Sequence, residues 1–149
     1  MKKIGEYTAK GSVKLDQIHR IILDDGQFDT GYRITEFVIA PHDMDNSSSQ
    51  VYSGKLYTDD SSGMGRNWNW DANDEIAWSI FTYDGNLPRA QSEFTLVDPD
   101  NLVIQDLFVT ITDNVQTIDK KVNYFIRMEK YDITDSQGAL AMVRNRSQA

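Results

Sequence analysis

His19 and His42 are the only imidazoles in the 149-residue chain, and it contains no cysteine. The absence of thiols excludes disulfides, thiolate nucleophiles and thiolate metal sites. It fits a reducing compartment, or a particle that holds together without redox help. His19 lies within "QIHRII", which reads as a strand, so we expect a surface or partly satisfied strand histidine. His42 lies in "APHDMDN" beside Asp43 and Asp45. A histidine–carboxylate metal site is conceivable there, and a solvated loop explains the same residues. No Gly-x-Ser-x-Gly elbow, His-Glu-x-x-His pair, Walker loop or dinucleotide fingerprint occurs. A glycosidase needs only two carboxylates at a set separation, but 23 acidic residues supply too many pairs to single one out. We therefore expect no enzyme and no catalytic residues.

Hard oxygen ligands are the stronger metal signal. "DANDE" sets Asp71, Asn73 and Glu75 at alternate positions, and "HDMDNSSS" offers Asp43, Asp45 and Asn46. Both stretches could contribute to a calcium site. Neither has the glycine and distal glutamate of an EF-hand loop, and acidic residues are ordinary turn formers between strands. The expectation is no metal and no cofactor, with calcium as the alternative and Asp71, Asn73 and Glu75 as its candidate ligands.

The third feature is "NWNWDANDEIAWSIF", which holds all three tryptophans of the chain. In an extended reading Trp68 and Trp70 share one face, opposite Asn67, Asn69 and Asp71. Such a pair can stack on sugar rings, extend the core or seal a subunit contact, where tryptophan and arginine are favoured anchors. Trp78 alternates with Ile76 and Ile80, and that company places it in the core.

Those residues must be positioned by strands, because two-residue alternation dominates the chain. In "VNYFIRMEKY", Val122, Tyr124, Ile126 and Met128 share one face while Asn123, Arg127 and Glu129 share the other. Phe125 and Tyr131 interrupt the polar side as cross-strand partners. Seven further strands are expected at about residues 4–12, 17–23, 31–40, 51–58, 75–83, 91–97 and 102–112. Turn-rich stretches such as "YDGN" and "DPDN" separate them. Eight antiparallel strands in one domain read as an all-β antiparallel β-sandwich, and their uneven loops favour a jelly roll over an up-and-down barrel. Its expected buried residues include Trp78, Ile80, Leu107, Val109, Tyr124, Ile126 and Met128.

The sandwich is expected over residues 1–133, followed by a helical tail over 134–149. Thr134 and Gln137 form a capping box there, and Ala139, Met142 and Val143 share a face with Leu140 beside it. Arg144 and Arg146 suit the C-terminal end of that helix. So short a helix needs a surface to lie on. That surface is either its own sandwich or the acidic face of a neighbouring subunit, which Arg144 and Arg146 would meet.

A 40% apolar fraction with 11% aromatic residues indicates a folded globule. There is no apolar run long enough for a transmembrane helix, and "MKKIGEYTAKGS" lacks the apolar stretch of a signal peptide. We expect no membrane association and no secretion by that route. A net charge of −8 argues against direct nucleic-acid binding, which needs a basic footprint.

The segments "GYRITEFVIAP", "NWNWDANDEIAWSIF", "LVIQDLFVTITD" and "VNYFIRMEKYDITDSQGALAMVRNRSQ" cover over half the chain. In texture and order they resemble small jelly-roll structural proteins of marine bacteriophages and uncultured aquatic viruses. The resemblance implies a virion component, a capsid, decoration or fibre-base subunit made in the host cytoplasm, with no enzymatic residues to carry over. Its implied partners are other virion subunits in a homo-oligomer, with Trp68, Trp70, Arg144 and Arg146 as candidate contacts. The acidic N-terminal half departs from capsid proteins with a basic genome-packaging arm. The alternative function is a carbohydrate-binding sandwich, with or without calcium, in which Trp68 and Trp70 form the platform.

Overall fold

The alternation of the sequence becomes eight antiparallel strands: β1 (Lys2–Lys14), β2 (Ile18–Ile22), β3 (Thr30–Pro41), β4 (Gln50–Tyr57), β5 (Glu75–Tyr83), β6 (Gln91–Val97), β7 (Asp106–Asp113) and β8 (Lys121–Asp132). The structure, a computed structural model, describes residues 2–23, 29–42, 50–59, 67–83, 91–114 and 120–133. No helix occurs among the described residues. The expected tail over 134–149, with Arg144 and Arg146, lies outside them, as do Asp43, Asp45 and Asn46.

The strands form two sheets, β1-β8-β3 and β2-β7-β4-β5-β6. Folding the chain into one long ribbon about the β4–β5 connection would pair β4 with β5, β3 with β6, β2 with β7 and β1 with β8. Three of those four pairings are present as ladders. Rolling the ribbon also sets β8 beside β3 and β7 beside β4, as observed. This nested connectivity is that of a jelly roll, with one departure. β6 forms its ladder with β5 and reaches β3 by contact alone.

The core forms between the sheets. Val122, Tyr124, Ile126 and Met128 of β8 face inward and are buried, as alternation requires. Opposite them the five-stranded sheet turns in Leu56, Ala77, Phe81, Leu107, Val109 and Ile111. The sheets approach closely at Gly54, where a Cβ would lie 3.2 Å from Ile39 Cγ2 and 3.3 Å from both Ile111 Cγ1 and Phe37 Cζ. The chain passes from one sheet to the other at Leu15 and Asp16. Leu15 N–H donates to Lys120 O at 3.0 Å and Asp16 N–H to Ile111 O at 2.9 Å. Asp16 makes this turn at φ 60°, a left-handed conformation that aspartate tolerates better than most residues.

Two local expectations are corrected. The strand expected from Leu102 begins only at Asp106. Before it, Val103 forms an isolated bridge to Tyr32, with N–H···O bonds of 2.7 Å in both directions. Asn101, beside it, accepts from Ile34 N–H and donates to Ile34 O, which ties this connection to the three-stranded sheet. On β5 the core-facing residues are Ala77, Ser79 and Phe81, which pair with Leu56, Gly54 and Tyr52. Trp78 and Ile80 lie on the outer face, and Ile80, expected to be buried, is half-buried because no second sheet covers it.

Candidate functional site

Trp78 is buried nonetheless, at 5% exposure, and a loop buries it. Its neighbours across the sheet are Lys55 on β4 and Leu96 on β6, all on the outer face. Trp70 lies against Trp78 with ring centroids 5.7 Å apart. Trp68 lies nearly parallel to Trp70, at 6.5 Å and 18°. Trp68 also reaches Phe94 of β6 at 6.1 Å and 26°. The result is a layer of four aromatic rings outside the five-stranded sheet. Each such ring pair contributes about 0.5–1.5 kcal/mol beyond its buried area.

A polar clamp holds this layer in place. Lys55 and Glu75 form an ion pair at 3.3 Å with both side chains 4% exposed. The second carboxylate oxygen of Glu75 accepts from Trp78 Nε1 at 3.1 Å and from Asn69 N–H at 2.9 Å. Lys55 Nζ also reaches Asn67 O at 3.5 Å and lies 5.6 Å from the Tyr57 ring centre. Tyr57 in turn bonds Thr110 through its hydroxyl at 2.7 Å and stacks on Phe108 at 5.7 Å. The tryptophan loop is thus fastened at Asn67 and Asn69, on either side of Trp68. Removing the water from two charges costs about what their attraction returns, so the pair adds little net stability. Its effect is to select one loop position, because any other would leave a buried charge without its partner. Asp74, next in the chain and also buried, has its carboxyl pushed above the usual range by burial.

Seen from the predicted residues, Trp68 and Trp70 come together on the surface, with Trp70 60% exposed. Asp71 and Asn73 are exposed, while Glu75 turns inward to the clamp. Among the described residues, no three His, Asp or Glu side chains gather where they could hold a metal ion. His19 is exposed on β2, its ring 5.9 Å from that of Tyr124. His42 is exposed. Sequence reading missed Lys55, Phe94 and Leu96. The signal for Lys55 was its place in "SGKLYT", a charge within a strand that is otherwise buried along most of its length. Phe94 and Leu96, 45% and 41% exposed, alternate on an edge strand.

The opposite side of the sandwich differs in chemistry. The outer face of β1-β8-β3 carries an open hollow of about 440 Å³ lined by Lys10, Val38, Ala40, Asn123 and Phe125 with backbone between them. Ser12 Oγ donates to Asn123 Oδ1 at 2.6 Å on this face. Further along it, Lys3 bonds both Glu6 (2.6 Å) and Glu129 (2.8 Å). These contacts hold both carboxyls below the usual carboxylate range. Arg33 lies over the Tyr131 ring at 5.4 Å. The three strands carry eight Lys and Arg against four Asp and Glu, a net +4. The chain totals −8, so everything outside these strands carries −12.

Fold and site together define a class: an antiparallel β-sandwich with a clamped aromatic layer on one outer face and a basic, hollowed sheet on the other. Comparison with protein-family models, characterised proteins and solved structures finds no match for this chain.

Proposed function

We propose that the protein is a non-catalytic structural subunit that acts by assembling with other subunits. Its setting is the virion, as a capsid or decoration component made in the host cytoplasm. The observation that carries the reading is apolar exposure on the outer face of the five-stranded sheet, where Trp70, Phe94 and Leu96 toward the β6 edge and Ile18 and Ile22 at the β2 edge are 41–66% exposed. Large apolar groups fixed at a surface are characteristic of interfaces. The virion setting rests on the resemblance of the sequence and on fold-level analogy, since jelly rolls build many viral capsids. Light scattering on the purified full chain tests the assembly reading. Masses above the 17.0 kDa of one chain support it, and one-chain mass across the whole concentration range overturns it.

A second reading has its own observation. Trp68 and Trp70 lie within 18° of parallel, and Asn67, Asn69, Asp71 and Asn73 around them are exposed. Flat rings bordered by amides and carboxylates suit the apolar face and hydroxyls of a sugar, and lectin domains also use jelly rolls. On this reading the protein is a carbohydrate-binding module. Clear hits on a glycan array, lost in Trp68→Ala with Trp70→Ala, would establish it over the assembly reading.

A further inference from the structure

The two outer faces of the sandwich point away from each other and differ in both shape and charge. One presents projecting rings, with Trp70 60% and Phe94 45% exposed. The other presents the open hollow of about 440 Å³, where the small side chains of Ser12 and Ala40 flank Asn123 beside Val38 and Phe125. The hollowed sheet is net basic in a chain whose remainder is strongly acidic. On the aromatic sheet, the lysine and arginine among the described residues are Lys55 and Arg20, and both are held in ion pairs, with Glu75 and Asp106.

We propose that the aromatic face of one copy seats in the basic, hollowed face of the next, a head-to-tail contact between copies of this chain. The inference rests on the assembly reading and names its partner and both of its surfaces. The five strands of the aromatic sheet carry two Lys and Arg against four Asp and Glu, a net −2. A two-fold contact would therefore set like against like: basic sheet on basic sheet, or projecting rings on projecting rings with acidic strands on both sides. A head-to-tail contact sets projection against hollow and negative against positive, which also speeds and orients docking. Because the two surfaces are different patches, the contact is heterologous. It closes into a ring if the rotation between copies allows and otherwise extends as a filament. A polyanion would match the basic sheet alone and would be repelled by the −12 of the remaining chain.

A complementation experiment tests this contact. In one variant, Phe94→Lys with Leu96→Lys spoils the projecting face. In a second, Val38→Arg with Ala40→Arg fills the hollow. All four side chains point outward from edge strands, and circular dichroism checks that both variants keep the sandwich. The single changes Phe94→Lys and Ala40→Arg replace the pairs if either unfolds. Each variant alone should fall to one-chain mass in light scattering. Mixed in equal amounts, they should form a two-chain species, since one good face of each kind remains and the chain cannot extend further. A mixture that stays at one-chain mass, or a variant that assembles like the wild type, overturns the head-to-tail contact and leaves the assembly reading standing. A wild type at one-chain mass overturns both.

Discussion

Phe81 and Trp78 stand three residues apart on β5, and both are buried, at 9% and 5% exposure. Phe81 is buried by the opposing sheet, in a core assembled from many interchangeable apolar contacts. Trp78 is buried by a loop that one carboxylate holds down. The first kind of burial is distributed and follows from the hydrophobic effect. The second depends on Glu75 and Lys55, and so has a small number of points of failure. The difference explains how the molecule keeps large rings at its surface without letting them collapse inward. The core is complete without them, and the clamp sets where they stand.

The largest effect should come from the core itself. Phe37 is fully buried between the sheets, and Phe37→Ala should cost about 3–5 kcal/mol through lost burial and the cavity left behind. Chemical denaturation measures it, and a loss under about 1 kcal/mol would mean the interior can collapse around the gap. The clamp comes next. Glu75→Ala leaves Lys55 buried without its partner and should cost about 3 kcal/mol, the lower end for a broken buried pair. It should also release the loop and shift tryptophan emission to longer wavelength, which Phe37→Ala does not do below its melting transition. If the folded Glu75→Ala protein emits like the wild type, Trp78 is held by packing alone and the contrast with Phe81 collapses.

Gly54→Val sharpens the same contrast from the core side. Its Cβ meets three atoms at 3.2–3.3 Å from both sheets, so overpacking should cost about 1–3 kcal/mol. The tryptophan emission of the folded protein should stay unchanged. The smallest effect concerns Asp74, whose carboxyl is raised by burial. A raised carboxyl is a charged form that folding disfavours, so its penalty is present at neutral pH and relieved in acid, once the group binds a proton in the folded state. Asp74→Asn should therefore raise the melting temperature at pH 7, with an advantage that shrinks as pH falls into the carboxylate range. An advantage that grows in acid would assign Asp74 a stabilising partner for its charge.

Alternation alone was enough to place eight strands, with β5 and β6 at their observed bounds and β8 with its inward residues, because a period of two follows directly from the extended backbone. The absence of cysteine was equally readable. What alternation leaves open is which face of a strand looks inward when both faces are apolar. On β5 the larger residues, Ile76, Trp78 and Ile80, are the natural core set by size, yet of these Ile76 alone, at the register shift, joins the core, and Ala77, Ser79 and Phe81 face it along the rest of the strand. The reason is tertiary. At Gly54 an added Cβ would already meet Ile39, Ile111 and Phe37 at 3.2–3.3 Å, and of its two cross-strand neighbours Ile111 fills this crowded layer while the one on β5 is the small Ser79. Trp78, left outside, could be buried only because Lys55, twenty positions before Glu75, becomes its cross-strand neighbour. Sequence determined that this chain would make strands and where they would turn. Only the pairing of distant strands decided which tryptophan is buried and what holds it there, and it brought the basic residues together on one sheet.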